Sequence, residues 1–190
     1  MAVAAALCVA GLACAQDEPP RPTIGGELYD EQKVQALIGR LRRAETVAGV
    51  SQEAARALQA LTGMDRVMVY RFERDGSGTV IAEAMRGTGE SYLGLRYPAS
   101  DIPQQARALY KRNLIRIIAD VASTNYPIIP EAGAGGTALD LSMAVTRSVS
   151  PIHLEYLQNM GVAASMSVSI LRRGELWGLF ACHHNAPLLV

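Results

Sequence analysis

Neither sign of charge is in excess in this chain: eighteen Lys and Arg balance eighteen Asp and Glu across 190 residues. That removes any general electrostatic reason to expect nucleic acid or an anionic membrane as a partner, so an anionic ligand would have to be held by local positive charge. Cysteine is scarce. Cys8, Cys14 and Cys182 follow no zinc-site spacing, and their odd number argues against a disulfide framework. A reducing, cytoplasmic compartment is expected, or a special use for one thiol. No apolar run reaches the length of a membrane span, because the Ala-rich stretch Met1 to Ala15 is too short. No Lys or Arg occurs before Arg21, yet Ala13 and Ala15 would suit a cleavage site, so the secretory-like pattern is half met and two readings stand, an export signal and, ahead of it, a plain extension.

Enzyme motifs are missing as well. Ser150 stands three residues before His153 without a Gly-x-Ser-x-Gly turn, and a serine used as a helix cap has its oxygen occupied. His183 and His184 are neighbours on an alternating segment, so their rings should point to opposite faces and cannot share a metal. Neither glycine cluster, Gly87 with Gly89 or Gly133 with Gly135 and Gly136, joins a strand to a helix as a phosphate loop does. No internal repeat is present. The chain is expected not to be an enzyme.

What is there is a globular pattern, with 49% hydrophobic and 19% charged residues, enough for one domain with an ample core. Residues 1–28 read as an Ala-rich extension followed by a Pro/Gly linker, and 29–190 as the domain. Val34, Leu37, Ile38 and Leu41 recur at helical spacing, which predicts an amphipathic helix over Glu31 to Glu45 with Arg40, Arg42 and Arg43 in water. Ser51 can cap a second helix that ends at Gly63 and packs through Ala54, Leu58 and Leu61. Arg66 to Phe72 and Thr79 to Ala84 alternate about a turn at Asp75 to Gly78, which is a hairpin signal. Pro103 to Arg112 reads as a short helix, Ile115 to Ala119 as a strand, and Asn125 to Gly136 as a long loop. Ala163 to Leu171 and Glu175 to His184 form a second hairpin pattern about Arg172 to Gly174. The expected fold is α+β, a central, largely antiparallel sheet with helices.

One helix stands out. In Ser148 to Gly161, Ser150 suits the N-cap, Pro151 the first turn and Gly161 the left-handed stop. His153, Tyr156 and Met160 then share one face. Tyr70, His183, Ser165 and Ser167 are expected on inward faces of strands, and so many interior hydroxyls and imidazoles call for a ligand with several polar atoms. Arg116 on an apolar strand and Arg147 ahead of the helix suit bidentate contacts with carboxylates. These residues together suggest an extended, mostly apolar ligand bearing acidic groups.

Four runs carry a resemblance: Asp65 to Phe72, DRVMVYRF; Pro98 to Asn113, PASDIPQQARALYKRN; Arg147 to Ile170, RSVSPIHLEYLQNMGVAASMSVSI; and Leu176 to His184, LWGLFACHH. In this order they resemble the chromophore-binding GAF domain of bacterial phytochromes, over roughly Tyr29 to Asn185. The resemblance implies a GAF-type sheet with helices on both sides, and a bilin, biliverdin or another linear tetrapyrrole, used for red or far-red light sensing. It implies that Asp101, by its backbone carbonyl, and His153 lie near the pyrrole nitrogens. It implies that Arg116, Arg147, Tyr110, Ser150, Ser165 and Ser167 meet the propionates. The rotating end ring would lie among Met68, Tyr70, Tyr97, Ile102 and Tyr156, with His183 bonded to its carbonyl.

Departures are equally specific. The position before the helix histidine, where plant-type relatives carry the attachment thiol, is Ile152, and the one after it is Leu154. The resemblance leaves Cys14, and after it Cys8, as candidate attachment residues, and Cys182 as core. A final helix is expected after His184 but does not fit before Val190, so the domain is expected to be C-terminally truncated. The Glu31 to Glu45 stripe then becomes either a surface for a homodimer or a source of instability, and an output or kinase partner would belong to another chain or to a missing remainder. The alternative reading is a pigment-free GAF-like dimerisation module.

Overall fold

The computed structural model describes residues 31–129, 136, 139–144 and 147–188. Two helices open it, α1 (Glu31–Arg43) and α2 (Val47–Thr62). In α1 the stripe Val34, Leu37, Ile38 and Leu41 is half-buried, and Arg40, Arg42 and Arg43 are exposed, as their spacing predicts. The start of α2 differs from expectation. Thr46 is the cap, accepting the Gly49 amide at 3.0 Å, and Ser51 lies a turn inside, buried. Its core face runs through Ser51, Ala55 and Leu58, while Leu61 is 53% exposed. Gly63, at φ +74°, ends α2 as predicted.

Six strands follow: β1 (Arg66–Phe72), β2 (Gly78–Met85), β3 (Arg96–Tyr97), β4 (Ile115–Ile118), β5 (Ala164–Arg172) and β6 (Glu175–His184). They form one sheet in the order β3-β2-β1-β6-β5-β4, and every neighbouring pair is antiparallel. A 3-10 turn at Ala99–Asp101 and helix α3 (Gln104–Arg112) connect β3 to β4, and α4 (Pro151–Asn159) precedes β5. The β5–β6 hairpin closes on Arg173 and Gly174, both at positive φ, the conformation a two-residue turn needs to match the strand twist. The loop expected over Asn125 to Gly136 lies partly outside the described residues, as do Cys8 and Cys14.

Period-two alternation divides the side chains between two cores. On the first face Val67, Val69, Ala82, Ala84 and Cys182 pack against Ala55 of α2 and Met64. The free thiol of Cys182 is completely buried there, in the packing role expected of it. On the second face Met68, Tyr70, Val80 and Leu179 gather with Tyr97, Ile102 and Tyr110. Helix α4 is anchored separately, by Leu157 against Val121 and Val162. Met160 packs into that third cluster and does not join a site with His153 and Tyr156. Ser150 occupies the N-cap position but its hydroxyl makes no capping bond; its carbonyl accepts the amides of His153 and Leu154.

Where β3 ends, the outer edge of β2 is closed by other means. Val80 exchanges hydrogen bonds with Gly94 and Leu95, and the Gln52 side chain of α2 bonds both the carbonyl (2.8 Å) and the amide (3.4 Å) of Glu83. No helix among the described residues is long and apolar enough to cross a membrane.

Two glycines make room for Tyr70. A Cβ on Gly78 would coincide with the Tyr70 ring, and one on Gly178 would press on its carbonyl oxygen. Gly78→Ala is expected to cost about 1–3 kcal/mol by overpacking. In urea titrations the Tyr70→Ala, Gly78→Ala double variant should be more stable than the sum of the single losses, because the contact is shared.

Candidate functional site

The second sheet face is laid out in transverse rows fixed by strand register. Arg116 on β4 is opposite Ser167 on β5, which is opposite Ala181 on β6, which is opposite Met68 on β1. The next row runs Ile118, Ser165, His183 and Arg66. Ala181 leaves a low floor between the polar side at β4–β5 and the aromatic side at β1.

At the polar side Arg116 is held on four sides. Its Nε and one Nη donate to the hydroxyls of Ser167 (3.2 Å) and Ser169 (3.1 Å), the other Nη to Asn113 O (2.5 Å), and its Cζ lies 3.4 Å from the Tyr110 ring centroid. Burial lowers its pKa to about 10, with the nearby Arg147 adding to the effect, so it is still a cation at neutral pH. Arg147 is half-buried and donates to Ala144 O at 2.9 Å. Neither forms an ion pair among the described residues. Two partly desolvated cations near each other repel and lack counter-charge, and an anionic ligand relieves both costs.

At the aromatic side the Tyr70 and Tyr97 rings are 6.1 Å apart and Phe72 meets Tyr70 edge-on at 5.3 Å. Ile102 and Met68 complete this wall. From α4, His153 and Tyr156 stack at 6.4 Å with nearly parallel planes. Tyr156 is 39% exposed, as expected of a side chain lining an open wall. Its phenol is nonetheless pushed up to about 12, by burial first and then by Tyr97 and by the Asp101 carboxylate. Burial likewise raises Tyr70 to about 12, with Asp101 again contributing. Asp101 itself is exposed at the end of the 3-10 turn, so this turn brings a carboxylate toward phenols from three elements.

The two imidazoles are neutral. Burial carries His183 down to about 4, helped by Arg66 and His153. His153 is open to solvent by area yet hemmed in by protein, and this desolvation, with Arg116, lowers its pKa too. A neutral imidazole has one donor and one acceptor nitrogen, so each can bond a ligand N–H or C=O without adding charge.

The sheet thus collects Met68, Tyr70, Tyr97, Ile102, Tyr110, Arg116, Ser165, Ser167 and His183 on one face, and α4 supplies His153 and Tyr156. Ser150 is exposed, with its hydroxyl free of capping. Three participants go beyond the expected set. Ser169 is a second hydroxyl on Arg116; its face was legible from alternation, but its partner depended on the β4–β5 register. Asn113 is buried and supplies Arg116 with its carbonyl. Arg66, on the Met68 and Tyr70 face by period two, forms a 2.9 Å ion pair with Glu83 and lies 3.9 Å from the Tyr92 ring centroid. Among the described residues no three His, Cys, Asp or Glu are placed to hold a metal.

A separate open groove of about 430 Å³ lies beside Phe72, Gly76, Arg107 and Leu176 and is bordered by the Lys111–Glu175 pair. It contains none of the expected ligand residues.

Comparison with known proteins agrees with this layout. Residues 47–189 match the GAF domain family. A bacteriophytochrome of Pseudomonas aeruginosa is 53% identical over 157 residues, 82% of this chain and 22% of the relative. Cyanobacterial phytochrome B of Nostoc sp. is 52% identical over 149 residues, 78% of this chain and 20% of the relative. The chain spans about a fifth of the length of these curated relatives. The crystal structure of the chromophore-binding domain of an unusual bacteriophytochrome from R. palustris superposes with a TM-score of 0.81 at 43% identity, covering 84% of this chain and 53% of that one. The expected antiparallel sheet with helices on both sides is the fold they share.

His183 carries a pH signature. The unfolded chain protonates it near the ordinary value of about 6.5, while the folded chain resists protonation down to about 4. Its contribution to stability is full above about pH 6.5 and declines as pH falls toward 4. Between pH 7.5 and 4.5 this residue should account for about 2–3 kcal/mol of lost stability. His183→Gln is expected to flatten the pH dependence of the urea midpoint by that amount.

Proposed function

The chain belongs to the GAF domain family, and from that premise we propose that it is a bilin-binding photoreceptor domain for red and far-red light, with biliverdin or a related linear tetrapyrrole on the second sheet face. The observation that carries the reading is the pair Arg116 and Arg147, two cations without carboxylate partners among the described residues, at one end of a face whose other end is aromatic. A linear tetrapyrrole has that polarity, with two propionates on a long apolar, hydrogen-bonding body. The bacteriophytochrome relatives and the chromophore-binding domain that superposes on this chain support the same class of ligand.

Arg116, Arg147, Ser150, Ser165 and Ser167 would meet the carboxylates, with Tyr110 fixing the Arg116 plane from below. The Asp101 backbone carbonyl and His153 would accept from or bridge to the pyrrole N–H groups. Met68, Tyr70, Tyr97, Ile102 and Tyr156 would surround the end ring, and neutral His183 would donate to its carbonyl. When bound, the pigment supplies light absorption and rotation about a double bond; the protein holds, orients and desolvates it.

Of the three cysteines, Cys182 is on the opposite face and its thiol is pushed up to about 12 by burial, so it is no tether. Ile152 and Leu154 leave α4 without a thiol. Cys14 and Cys8 are the remaining candidates.

The helical layer is the proposed site of self-association. Val47 (58% exposed), Val50 and Leu61 are exposed apolar side chains of α2. Relatives of which this chain matches only about a fifth support an output partner beyond this domain.

Coexpression with a haem oxygenase should give a coloured protein whose absorption changes on red illumination; a colourless product under saturating biliverdin overturns the reading. Arg116→Met should weaken biliverdin uptake by about tenfold to a hundredfold, the worth of charge-assisted hydrogen bonds. Fluorescence titration of the purified variant against wild type measures it.

A further inference from the structure

Between β3 and α3 the chain has few supports of its own. From Pro98 to Pro103 the backbone makes one internal hydrogen bond, Asp101 N to Pro98 O at 3.2 Å, and neither proline has an amide to donate. Besides the Ile102 side chain in the second core, the segment is tied to the rest of the domain by hydrogen bonds from one side chain of α3. Arg107 donates from Nε to Ile102 O at 2.7 Å and from Nη2 to Ala99 O at 3.2 Å, which brackets Asp101 from both sides. The same Nη2 donates to Gly76 O in the β1–β2 turn at 2.5 Å, and the guanidinium Cζ lies 4.7 Å from the Phe72 ring centroid. Gly76 has φ +82°, and a Cβ on it would crowd Arg107 and Ala99.

We infer that Arg107 is a positioning residue, whose guanidinium sets the Asp101 peptide against the sheet so that its carbonyl faces the ligand. The inference rests on the pigment reading for the role of that carbonyl, but the clamp itself exists without pigment. Its geometry requires arginine: a planar fork reaches three carbonyls in different directions while stacking on an aromatic ring, and an ammonium cannot do both. Arg107 is not itself among the proposed pigment contacts; it hydrogen-bonds the backbone carbonyls of Ala99, Ile102 and Gly76 and stacks on Phe72. Arg96 provides a control at the same edge, since it bonds only the side chains of Asp75 and Ser77.

The test compares Arg107→Gln, Arg107→Lys and Arg96→Ala with the wild-type chain. In the pigment-free proteins, amide hydrogen exchange over residues 99–102 should be at least about tenfold faster in both Arg107 variants than in Arg96→Ala, since opening this segment no longer breaks the clamp. In biliverdin-loaded proteins, the pH at which the protonated pigment's long-wavelength band is lost should fall by about one unit in the Arg107 variants, a tenfold loss of proton affinity. It should stay put in Arg96→Ala. Equal exchange in the Arg107 and Arg96 variants overturns the clamp. Faster exchange with an unchanged pigment titration overturns its role in positioning. A wild-type chain that takes up no biliverdin, with exchange still accelerated in the Arg107 variants, leaves the clamp standing and overturns the pigment reading instead.

Discussion

The site depends on the register of four antiparallel strands. Arg116, Ser167 and Ala181 share one row, and Ile118, Ser165 and His183 the next, only because β4, β5 and β6 pair as they do. The side-chain period is two, so a slip of one residue in β6 would exchange the neutral imidazole of His183 for the thiol of Cys182. What prevents the slip is the core on the other side. Val67 and Val69 on β1 face Cys182 and Phe180 on β6, and these in turn face Met166 and Val168 on β5. The polar face is thus aligned by apolar contacts it never touches.

Most of this fold was legible because its strands alternate and its turns are marked by Gly and Asp. The helical layer was legible only in outline. For α2, Ser51 and Thr46 are both acceptable caps by chemistry, and nothing local says which one the chain uses; the choice moved the start by a turn, and separately the face that packs on the sheet runs through Ser51 and Ala55, which leaves Leu61 outside. Met160 followed His153 and Tyr156 by helical spacing, but the third cluster around Leu157, assembled from Val121 and Val162 far along the chain, claimed it. Individual site residues were readable from motif and alternation, whereas their partners were not. That Arg116 would be gripped by Ser169 and Asn113, or that Arg107 would bracket Asp101, depends on contacts between elements that no periodicity encodes.

The two ends of the second face use opposite electrostatic strategies. At β1 and α4, burial keeps His183 and His153 uncharged and holds the phenols of Tyr70 and Tyr156 further from ionisation, so these side chains offer directional hydrogen bonds without charge. At β4 and β5, cations are retained against burial, with neutral hydroxyls, a carbonyl and a ring face around Arg116 in place of a carboxylate. A built-in carboxylate there would have satisfied Arg116 and closed it to outside anions. The serines orient the guanidinium while leaving its charge uncancelled.

The Gln52 side chain, bonded to both backbone groups of Glu83, has a bearing on behaviour in crowded solution. A sheet grows by offering free amides and carbonyls to an incoming strand, and here β3, the Gly94–Leu95 turn and one glutamine amide occupy the outward groups of Gly78 to Glu83 in succession. The glutamine acts as a false last strand one residue long. Along Gly78 to Glu83 an incoming strand finds these groups already taken, which guards against edge-to-edge aggregation there.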